Sequence, residues 1–598
     1  MPECSLCPPS RARPACSPVL LLLTLGLLTP LLLGACARTH PFSSGTADGS
    51  GRTVSIGAVL DPDRSPGAAG SYLAGRFAME RGDLRQAAAS FGEALAADPD
   101  NLELRRQVFV LRLASGQLEE ALAEARTLED IDPDSEEVRL LLALASVRAG
   151  DFAAARRQLG AVPTRGIGSV SLPILGAWAE FGQGHREAAI EALATPRDEE
   201  VLAPLRRYHQ AAMLALAGRA AEARARLAPL VSADQSTPIR IVLALASLEM
   251  QSGDRAAATR LLESRVAATD GSLVLADALA RVARGDVPPA PIADAATGMA
   301  DALLGIAEAL HQQGASAQGL LLARLASYLA PEQADVWLLI GRIARDQGNS
   351  EEALTAFRRV SAATPQAWEA RLAAAEALRD AERIDEAVAV LERMADERIE
   401  RTDALVALGD LLRREERYAE AEAAYSRAIA RAPGMQSQDW RLFYARGIAF
   451  ERTQRWPEAE RDLLKALELA PDQPFVLNYL GYSWVDQGLN LDRAKGMLHR
   501  AVELRPQDGF IVDSLGWAYF RLGEHDNAVT YLERAVELEP ADPVINDHLG
   551  DAYWRVGRQR EARFQWQRAL TLKPEDDQIA QIEDKLQRGL PDSSADRG

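Results

Sequence analysis

Residues 509–540 read GFIVDSLGWAYFRLGEHDNAVTYLERAVELEP, and residues 543–574 read PVINDHLGDAYWRVGRQREARFQWQRALTLKP. The two segments align without a gap, and residues 474–506 follow the same pattern with one extra residue. Apolar and small residues recur at helical spacing, which predicts a pair of amphipathic helices in each segment. The recurring positions are a Leu-Gly pair, an aromatic residue, a turn glycine, two alanines and a closing proline: Leu480-Gly481, Leu515-Gly516, Leu549-Gly550; Trp484, Tyr519, Tyr553; Gly488, Gly523, Gly557; Ala494, Ala528, Ala562; Ala501, Ala535, Ala569; Pro506, Pro540, Pro574.

Each recurring position has a physical role in a stack of helix pairs. Glycine in the Leu-Gly pair lets the first helix approach its neighbour closely, and the turn glycine suits the positive φ that ends a helix. The alanines fit where a larger side chain would overpack, at a cost of about 1–3 kcal/mol. The closing proline cannot continue the second helix. The pattern therefore predicts helix–turn–helix units that repeat every 34 residues or so.

This period and these positions resemble the tetratricopeptide repeat (TPR). The resemblance implies an all-α fold, a right-handed α-solenoid of about 14 units. We expect degenerate units in residues 68–286 and a regular array in residues 299–575. Residues 576–598 are predicted to form a capping helix and a tail, because a repeat array needs its open end covered. Stacked units also explain how 598 residues fold without one oversized core.

Proline-rich residues 287–298 interrupt the repeats. Pro288-Pro289 and Pro291 predict a break in the helical pattern. The break is either a hinge between two solenoids or a long loop inside one continuous superhelix. Residues 163–173, which begin and end with proline, are similarly expected to form a longer loop.

The first 36 residues have the pattern of a targeting segment. Arg11 and Arg13 precede an apolar run over residues 19–33, which is too short for a comfortable transmembrane helix. The sequence Leu33-Gly34-Ala35-Cys36 resembles the lipobox of bacterial lipoproteins. The resemblance implies that residues 1–35 are removed as a signal peptide and that Cys36 is acylated; the alternative is a simple secretory signal that ends near a cysteine. Ala37 would then direct the protein to the periplasmic face of the outer membrane.

Residues 36–67, rich in Ser, Gly, Thr and Pro, are predicted to be a flexible tether with a typical span of about 30 Å. The formal net charge is −19 and no basic block is present, which argues against nucleic-acid binding. The sequence has neither a phosphate-binding Gly-x-x-x-x-Gly-Lys loop nor a His-Glu-x-x-His motif, and its seven histidines lack metal-ligand spacing. We therefore expect no enzyme activity, no cofactor and no metal; the remaining alternative is an enzyme of unrecognised type.

Function is then expected on the surface of the repeats. The TPR resemblance implies that positions 2, 5, 6, 9, 12 and 13 of each unit face a groove. Residues 440–566 contain 18 of the 33 aromatic residues, so the groove of the last units is the candidate site for a protein or peptide. The alternative is that these rings pack against neighbouring helices or line a closed superhelix. The candidate groove residues are Asn478, Tyr479, Tyr482, Phe510, Asp513, Trp517, Phe520, Arg521, Asp547, His548, Asp551, Trp554 and Arg555.

A narrower resemblance rests on the residues around the three Leu-Gly pairs: Tyr479-Leu480-Gly481-Tyr482, Asp513-Ser514-Leu515-Gly516-Trp517 and His548-Leu549-Gly550-Asp551. They look like those of long periplasmic TPR lipoproteins of proteobacteria. That group implies a lipid-anchored scaffold or adaptor for envelope proteins, including one that presents cell-wall hydrolases to a processing protease. An assembly factor for an outer-membrane secretion or polysaccharide-export machine is the alternative. In both cases the partner is a protein whose identity the sequence does not give.

Overall fold

The computed structural model describes residues 67–162, 166–194, 203–231, 237–269, 271–432, 434 and 436–591. Every regular element in these residues is a helix, which confirms the predicted all-α class. The signal segment, the tether up to residue 66 and Cys36 lie outside the described residues. The described chain forms two compact units, residues 67–387 and residues 388–591.

The first unit consists mainly of consecutive helix pairs. The described residues also include two short 3₁₀ helices that join longer elements: Ala228–Leu230 in the first unit and Ser437–Asp439 in the second. The α-helices of the first unit are α1 Ala68–Glu80, α2 Leu84–Ala97, α3 Leu102–Ala114, α4 Leu118–Ile131, α5 Glu136–Arg148, α6 Phe152–Gly160, α7 Gly166–Gly182, α8 Arg186–Ala194, α9 Ala203–Leu216, α10 Ala220–Leu227, α11 Ile239–Gln251, α12 Arg255–Ala268, α13 Leu273–Arg284, α14 Ala295–Gln312, α15 Ser316–Leu329, α16 Ala334–Asp346, α17 Ser350–Arg358 and α18 Ala367–Asp380.

Helix α19 begins at the end of the first unit, and the helices that follow it in the second unit again form consecutive pairs. The pairs from α20 onward are more regular in length than those of the first unit. The helices are α19 Ile384–Glu397, α20 Asp403–Arg414, α21 Tyr418–Arg431, α22 Trp440–Arg452, α23 Trp456–Leu469, α24 Pro474–Asp486, α25 Leu491–Leu504, α26 Gly509–Arg521, α27 His525–Leu538, α28 Pro543–Arg555, α29 Gln559–Thr571 and α30 Asp576–Arg588.

The glycines of the repeat have the geometry that the pattern requires. Gly488, Gly523 and Gly557 have φ angles of +70°, +79° and +82° just after α24, α26 and α28 end. A Cβ at Gly516 would lie 2.7 Å from the Leu532 side chain on the paired helix. The turn glycines and the Leu-Gly glycine therefore have the roles inferred from the sequence.

Helices α14 and α15 pack across the first helices of the earlier pairs. Helix α14 contacts α7 and α9, and α15 contacts α3 and α5, so this pair fills the face that those helices form together. All residues from 298 to 307 are buried, as expected for a helix surrounded by protein on every side. The groove of the N-terminal repeats is therefore filled by the chain itself.

Specific contacts fix this inserted pair. Gly298 lies against the indole of Trp178, where a Cβ would approach ring atoms to 2.4 Å. On α15, the buried guanidinium of Arg324 donates from Nε to the carbonyl oxygen of Ala114, 3.0 Å away, and also pairs with Glu352. The hydrogen bond between Arg324 and Ala114 joins residues 210 positions apart in the chain.

The break predicted at residues 287–298 is shorter in the structure. Helix α14 already begins at Ala295, because Asp294 caps it: its carboxylate accepts from the Thr297 backbone N–H at 2.8 Å, and the Thr297 hydroxyl accepts from the Asp294 N–H at 2.9 Å. Ile292, only 4 % exposed, belongs to the core of the first unit. The stretch is a packed connection within one unit, which favours the loop over the hinge.

A second difference concerns residues 163–173. The structure describes residues 166–182 as one helix, α7, with Pro173 inside it. No helix in the described part of the chain is long and apolar enough to cross a membrane.

Candidate functional site

Three first-position helices form a continuous surface in the second unit. Helix α26 contacts both α24 and α28, so the residues that they expose on this side are neighbours. The predicted groove residues all lie on these helices. The structure separates them into an open aromatic part, on α24 and α26 with His548 of α28, and a covered part formed by the other candidate residues of α28.

Trp517 is the centre of the open part. Its ring stacks on Phe520, with centroids 4.8 Å apart, and on the imidazole of His548 at 4.0 Å. Trp517 and Phe520 are half-buried and keep part of their surface exposed. Offset stacks of this kind hold aromatic side chains in place, and large rigid rings are the usual anchors of protein interfaces.

His548 is held by a carboxylate beneath the stack. Its Nδ1 lies 3.0 Å from Oδ1 of Asp513, which is 7 % exposed. Burial lowers the pKa of His548 and is the largest single effect, but the charge of Asp513, the hydrogen bond to it and the charges of Asp547 and Asp551 together outweigh burial, so the net pKa is raised above 6.5. The imidazole therefore keeps its proton to a higher pH than a free histidine does, and the pair with Asp513 fixes the orientation of the ring.

Helix α24 extends this surface. The Tyr479 hydroxyl donates to Glu451 at 3.1 Å, and its ring meets Tyr444 edge-on at 5.8 Å. Asn478 is buried, and its Oδ1 has no hydrogen-bond partner among the described residues. Trp440, 5.9 Å from Tyr444, continues the row of rings onto α22.

The remaining candidates at this end have defined positions. Tyr482 and Phe510 are half-buried, while Arg521 is exposed and pairs with Asp486 on α24 at 3.0 Å. The groove positions predicted Tyr482, Phe510 and Arg521, but they missed Trp440 and Tyr444. Trp440 and Tyr444 are four residues apart, and residues at this spacing share a helix face, so the sequence contained a pattern that could have identified them.

The part of the groove on α28 is covered by α30. Lys585 on α30 places Nζ 2.6 Å from Asp547 and 2.8 Å from Asp551. Asp551 also accepts from Trp566 Nε1 at 2.8 Å. Burial and the neighbouring Asp547 raise the pKa of Asp551 to about 6, against the opposing effect of Lys585.

Trp554 and Arg555 are likewise engaged by the C-terminal segment. A Cβ at Gly589 would lie 1.9 Å from the Trp554 ring, so backbone and indole are in close contact. Arg555 donates to the carbonyl oxygen of Pro591 at 2.7 Å. The expectation that Asp547, Asp551, Trp554 and Arg555 line an open groove is therefore corrected: for these four, the alternative of packing against a neighbouring helix applies.

The open part, named the aromatic face, consists of Tyr479, Tyr482, Phe510, Trp517, Phe520 and His548. Its chemistry is that of recognition: apolar rings with hydrogen-bonding groups at their edges. Within the described residues no group of three His, Cys, Asp or Glu side chains could hold a metal ion. The arrangement suits an extended peptide or a partner helix.

The fold defines a helical-repeat protein whose second unit carries the aromatic face. Family sequence models described as tetratricopeptide repeat match residues 78–143 and 112–166, and residues 338–401 and 406–474; one described as TPR repeat matches residues 516–557. Over these segments the chain is similar to tetratricopeptide repeat proteins. No curated protein sequence matches it.

Several solved structures are similar at the level of the chain trace. The APC/C hetero-tetramer Cut9-Hcn1 is 17% identical, over 88% of this chain and 97% of that chain, with a TM-score of 0.36. Yeast Tom70 is 14% identical, over 87% and 95%, with a TM-score of 0.28. A tetratricopeptide repeat protein from Parabacteroides merdae ATCC 43184 is 15% identical, over 42% and 97%, with a TM-score of 0.35. At these values the likenesses carry no functional information.

Proposed function

We propose that this protein is a non-catalytic, lipid-anchored scaffold that binds envelope proteins through its aromatic face. The observation that supports the proposal is the half-buried Trp517, which stacks on Phe520 and on His548 at a surface that the described helices of the second unit leave partly exposed. Tetratricopeptide repeats bind protein or peptide partners. A scaffold of this kind acts by proximity, since tethering two partners raises their effective concentration to about the millimolar range.

The aromatic face is tested with a double variant, Trp517→Ala with Phe520→Ala. Truncating an aromatic anchor commonly costs about 2 kcal/mol or more of binding, roughly thirtyfold in affinity. We expect the double variant to capture correspondingly less of the partner from cell-envelope extracts, with little change in its helix content. Phe564→Ala is the matched control, because Phe564 is 63% exposed on the second helix of a pair, α29, away from the face. Equal capture by wild type, double variant and control would reject the face as the binding surface.

The identity of the captured protein distinguishes the specific roles. A processing protease or a cell-wall hydrolase supports the adaptor that the narrower sequence resemblance implies. An export porin or a secretin supports the assembly factor instead.

Anchoring is proposed from the lipobox alone, at Cys36. Stable attachment requires more than one acyl chain, each contributing about 0.8 kcal/mol per buried CH₂. Cys36→Ala should therefore leave the protein soluble or uncleaved, and periplasmic exposure at the outer membrane should be lost with it. Detergent-phase partitioning that the substitution leaves unchanged would reject lipidation.

A further inference from the structure

A buried carboxylate in the first unit lacks the partners that such groups normally have. Asp301 on α14 is 1 % exposed, and neither of its oxygens has a hydrogen-bond partner among the described residues. Buried polar groups in folded proteins are nearly always satisfied, and an exception calls for an explanation such as an unfilled binding site. The inserted position of α14 thus places a carboxylate in the interior without any hydrogen bond to its oxygens among the described residues.

One candidate partner for Asp301 is His209 on α9, whose Nε2 lies 3.8 Å from Oδ2, beyond hydrogen-bond distance. The Trp178 indole N–H donates to Nδ1 of the same ring at 3.2 Å, so Nδ1 is the acceptor and Nε2 carries the proton of a neutral imidazole. Burial, aided by Arg240, lowers the pKa of His209 to about 3, which keeps the ring uncharged. His209 therefore provides no counter-charge for Asp301.

Asp301 lines a cleft of about 500 Å³ within the first unit. The cleft is bounded by α11, α13, α14, α16 and the start of α18, together with the proline-rich connection after α13. Its volume lies within the range of about 300–1,000 Å³ typical of ligand sites. It is larger than one side chain requires, and Pro289, Pro291 and Leu338 add apolar surface to its wall.

Carboxylates outnumber guanidinium groups around this cleft. The acidic residues of its wall are Asp277, Asp301, Glu308, Glu332, Asp335 and Glu369, and the basic ones are Arg240, Arg281 and Arg342. Each arginine already pairs with a carboxylate of the wall: Arg240 with Glu308 at 2.6 Å, Arg281 with Asp277 at 2.7 Å and Arg342 with Glu369 at 3.6 Å.

The carboxylates that remain without an ion pair in this wall include Asp301 and the largely buried Asp335. Asp335 has one hydrogen bond, from the Gln366 side chain at 3.4 Å. Burial raises the pKa of Asp301 to about 6; the Arg240 charge opposes this, and Glu308 and Asp335 add to it. Burial likewise raises the pKa of Asp335. The cleft therefore has a deficit of positive charge that a ligand can supply.

We propose that this cleft binds the cationic side chain, arginine or lysine, of a polypeptide partner, with Asp301 as the carboxylate that pairs with it. The polypeptide nature of the ligand rests on the proposed scaffold function. A peptide segment accounts for both the charge deficit and the apolar part of the wall, which flanking residues would contact. The cleft lies in a different unit from the aromatic face, so the protein has a second binding site although its N-terminal groove is filled by α14 and α15.

The test uses the full chain and two pools of acetylated, amidated hexapeptides, one with arginine and one with uncharged citrulline at the third position, titrated calorimetrically. We expect the arginine pool to bind at least about tenfold more tightly than the citrulline pool. Asp301→Asn should remove that preference and melt at the same or a higher temperature, because it removes a buried charge that has no hydrogen bond. Glu187→Gln, which neutralises an exposed carboxylate of α8, is the control and should bind as wild type.

Equal binding of the two pools, or wild-type binding by Asp301→Asn, would overturn the proposal. So would a fall in melting temperature of Asp301→Asn together with lost binding, since Asp301 would then be a structural residue. Agmatine, a small guanidinium compound, is titrated in parallel: if it binds as tightly as the arginine pool, the ligand is a small cation and not a polypeptide. The variant that lacks Trp517 and Phe520 should keep the arginine preference, which separates failure of this site from failure of the aromatic face.

Discussion

Replacing Gly298 with alanine probes the insertion of α14 into the first unit. An ideal Cβ at this position would lie 2.4–2.6 Å from three atoms of the Trp178 indole. Carbon atoms in van der Waals contact are about 3.5–4.0 Å apart, so the indole or α14 must move by roughly 1 Å. Trp178 is fully buried and hydrogen-bonded to His209, so its ring has no free space into which to turn. We expect the helix to shift.

The magnitude follows from two opposing contributions. One extra methyl group in a packed core costs about 1–3 kcal/mol. Exchanging glycine for alanine inside a helix contributes about 0.5–1 kcal/mol in the stabilising direction. Gly176 on α7 offers the matched control, because a Cβ there would meet nothing within 4 Å. The helix-propensity contribution is similar in both variants, so the free energy of unfolding of Gly298→Ala should lie about 1–3 kcal/mol below that of Gly176→Ala.

Hydrogen exchange is the suitable assay, because a chain of two units need not unfold in one step. In Gly298→Ala, amides of α7, α9 and α14 should exchange faster together, while those of α24 and α26 keep their wild-type rates. Urea titration of the same two variants gives the difference in free energy. If Gly298→Ala proves as stable as Gly176→Ala, with unchanged exchange in α14, the described contact between α14 and α7 is wrong.

Further predictions concern the second unit. Lys585→Met should lower the free energy of unfolding of the second unit by about 3 kcal/mol, because it leaves a buried carboxylate unpaired. The control, Arg588→Met, breaks an exposed ion pair and should lower it by less than about 1 kcal/mol. Urea titrations measure both values. The folded-state pKa of His548 is raised above 6.5 by Asp513 despite burial. The stability that the protonated His548 contributes is therefore complete below pH 6.5 and is lost as the pH rises through the folded-state pKa. His548→Gln should reduce this fall in stability with rising pH. Gly516→Leu should reduce the melting temperature measured by circular dichroism, since even a Cβ there meets α27 at 2.7 Å.

The helix pairs were predictable because their signals are local. The turn glycines, the Leu-Gly pairs and the closing prolines each act within one unit of about 34 residues, and Gly523 at φ +79° shows how directly such a position translates into backbone geometry. Repetition then fixes the stacking of one pair on the next. The aromatic face followed from the same register, since Trp517 and Phe520 lie where the repeat positions put them.

Contacts between distant parts of the chain could not be predicted in this way. In the structure all residues from 298 to 307 are buried because α14 is surrounded on all sides, but nothing in the local sequence identifies α7 and α9 as its neighbours. The same applies to Lys585, whose pairing with Asp547 spans 38 residues and converts part of the expected groove into an interior. The orphaned Asp301 also depends on this packing, because an aspartate in a helix usually faces solvent.

The filled groove of the first unit has a consequence for synthesis of the chain. Repeat proteins ordinarily fold as each unit meets the one before it, because each repeat contacts only its neighbours. Here the partner of Ala114 is Arg324, 210 residues later, which at about 5–20 residues per second takes the ribosome roughly 10–40 s to reach. During that time α3, α5, α7 and α9 expose the apolar face that α14 and α15 will cover. The nascent chain therefore passes through a long aggregation-prone interval. In a chain shortened by the repeats that contain α14 and α15, the apolar face would stay uncovered.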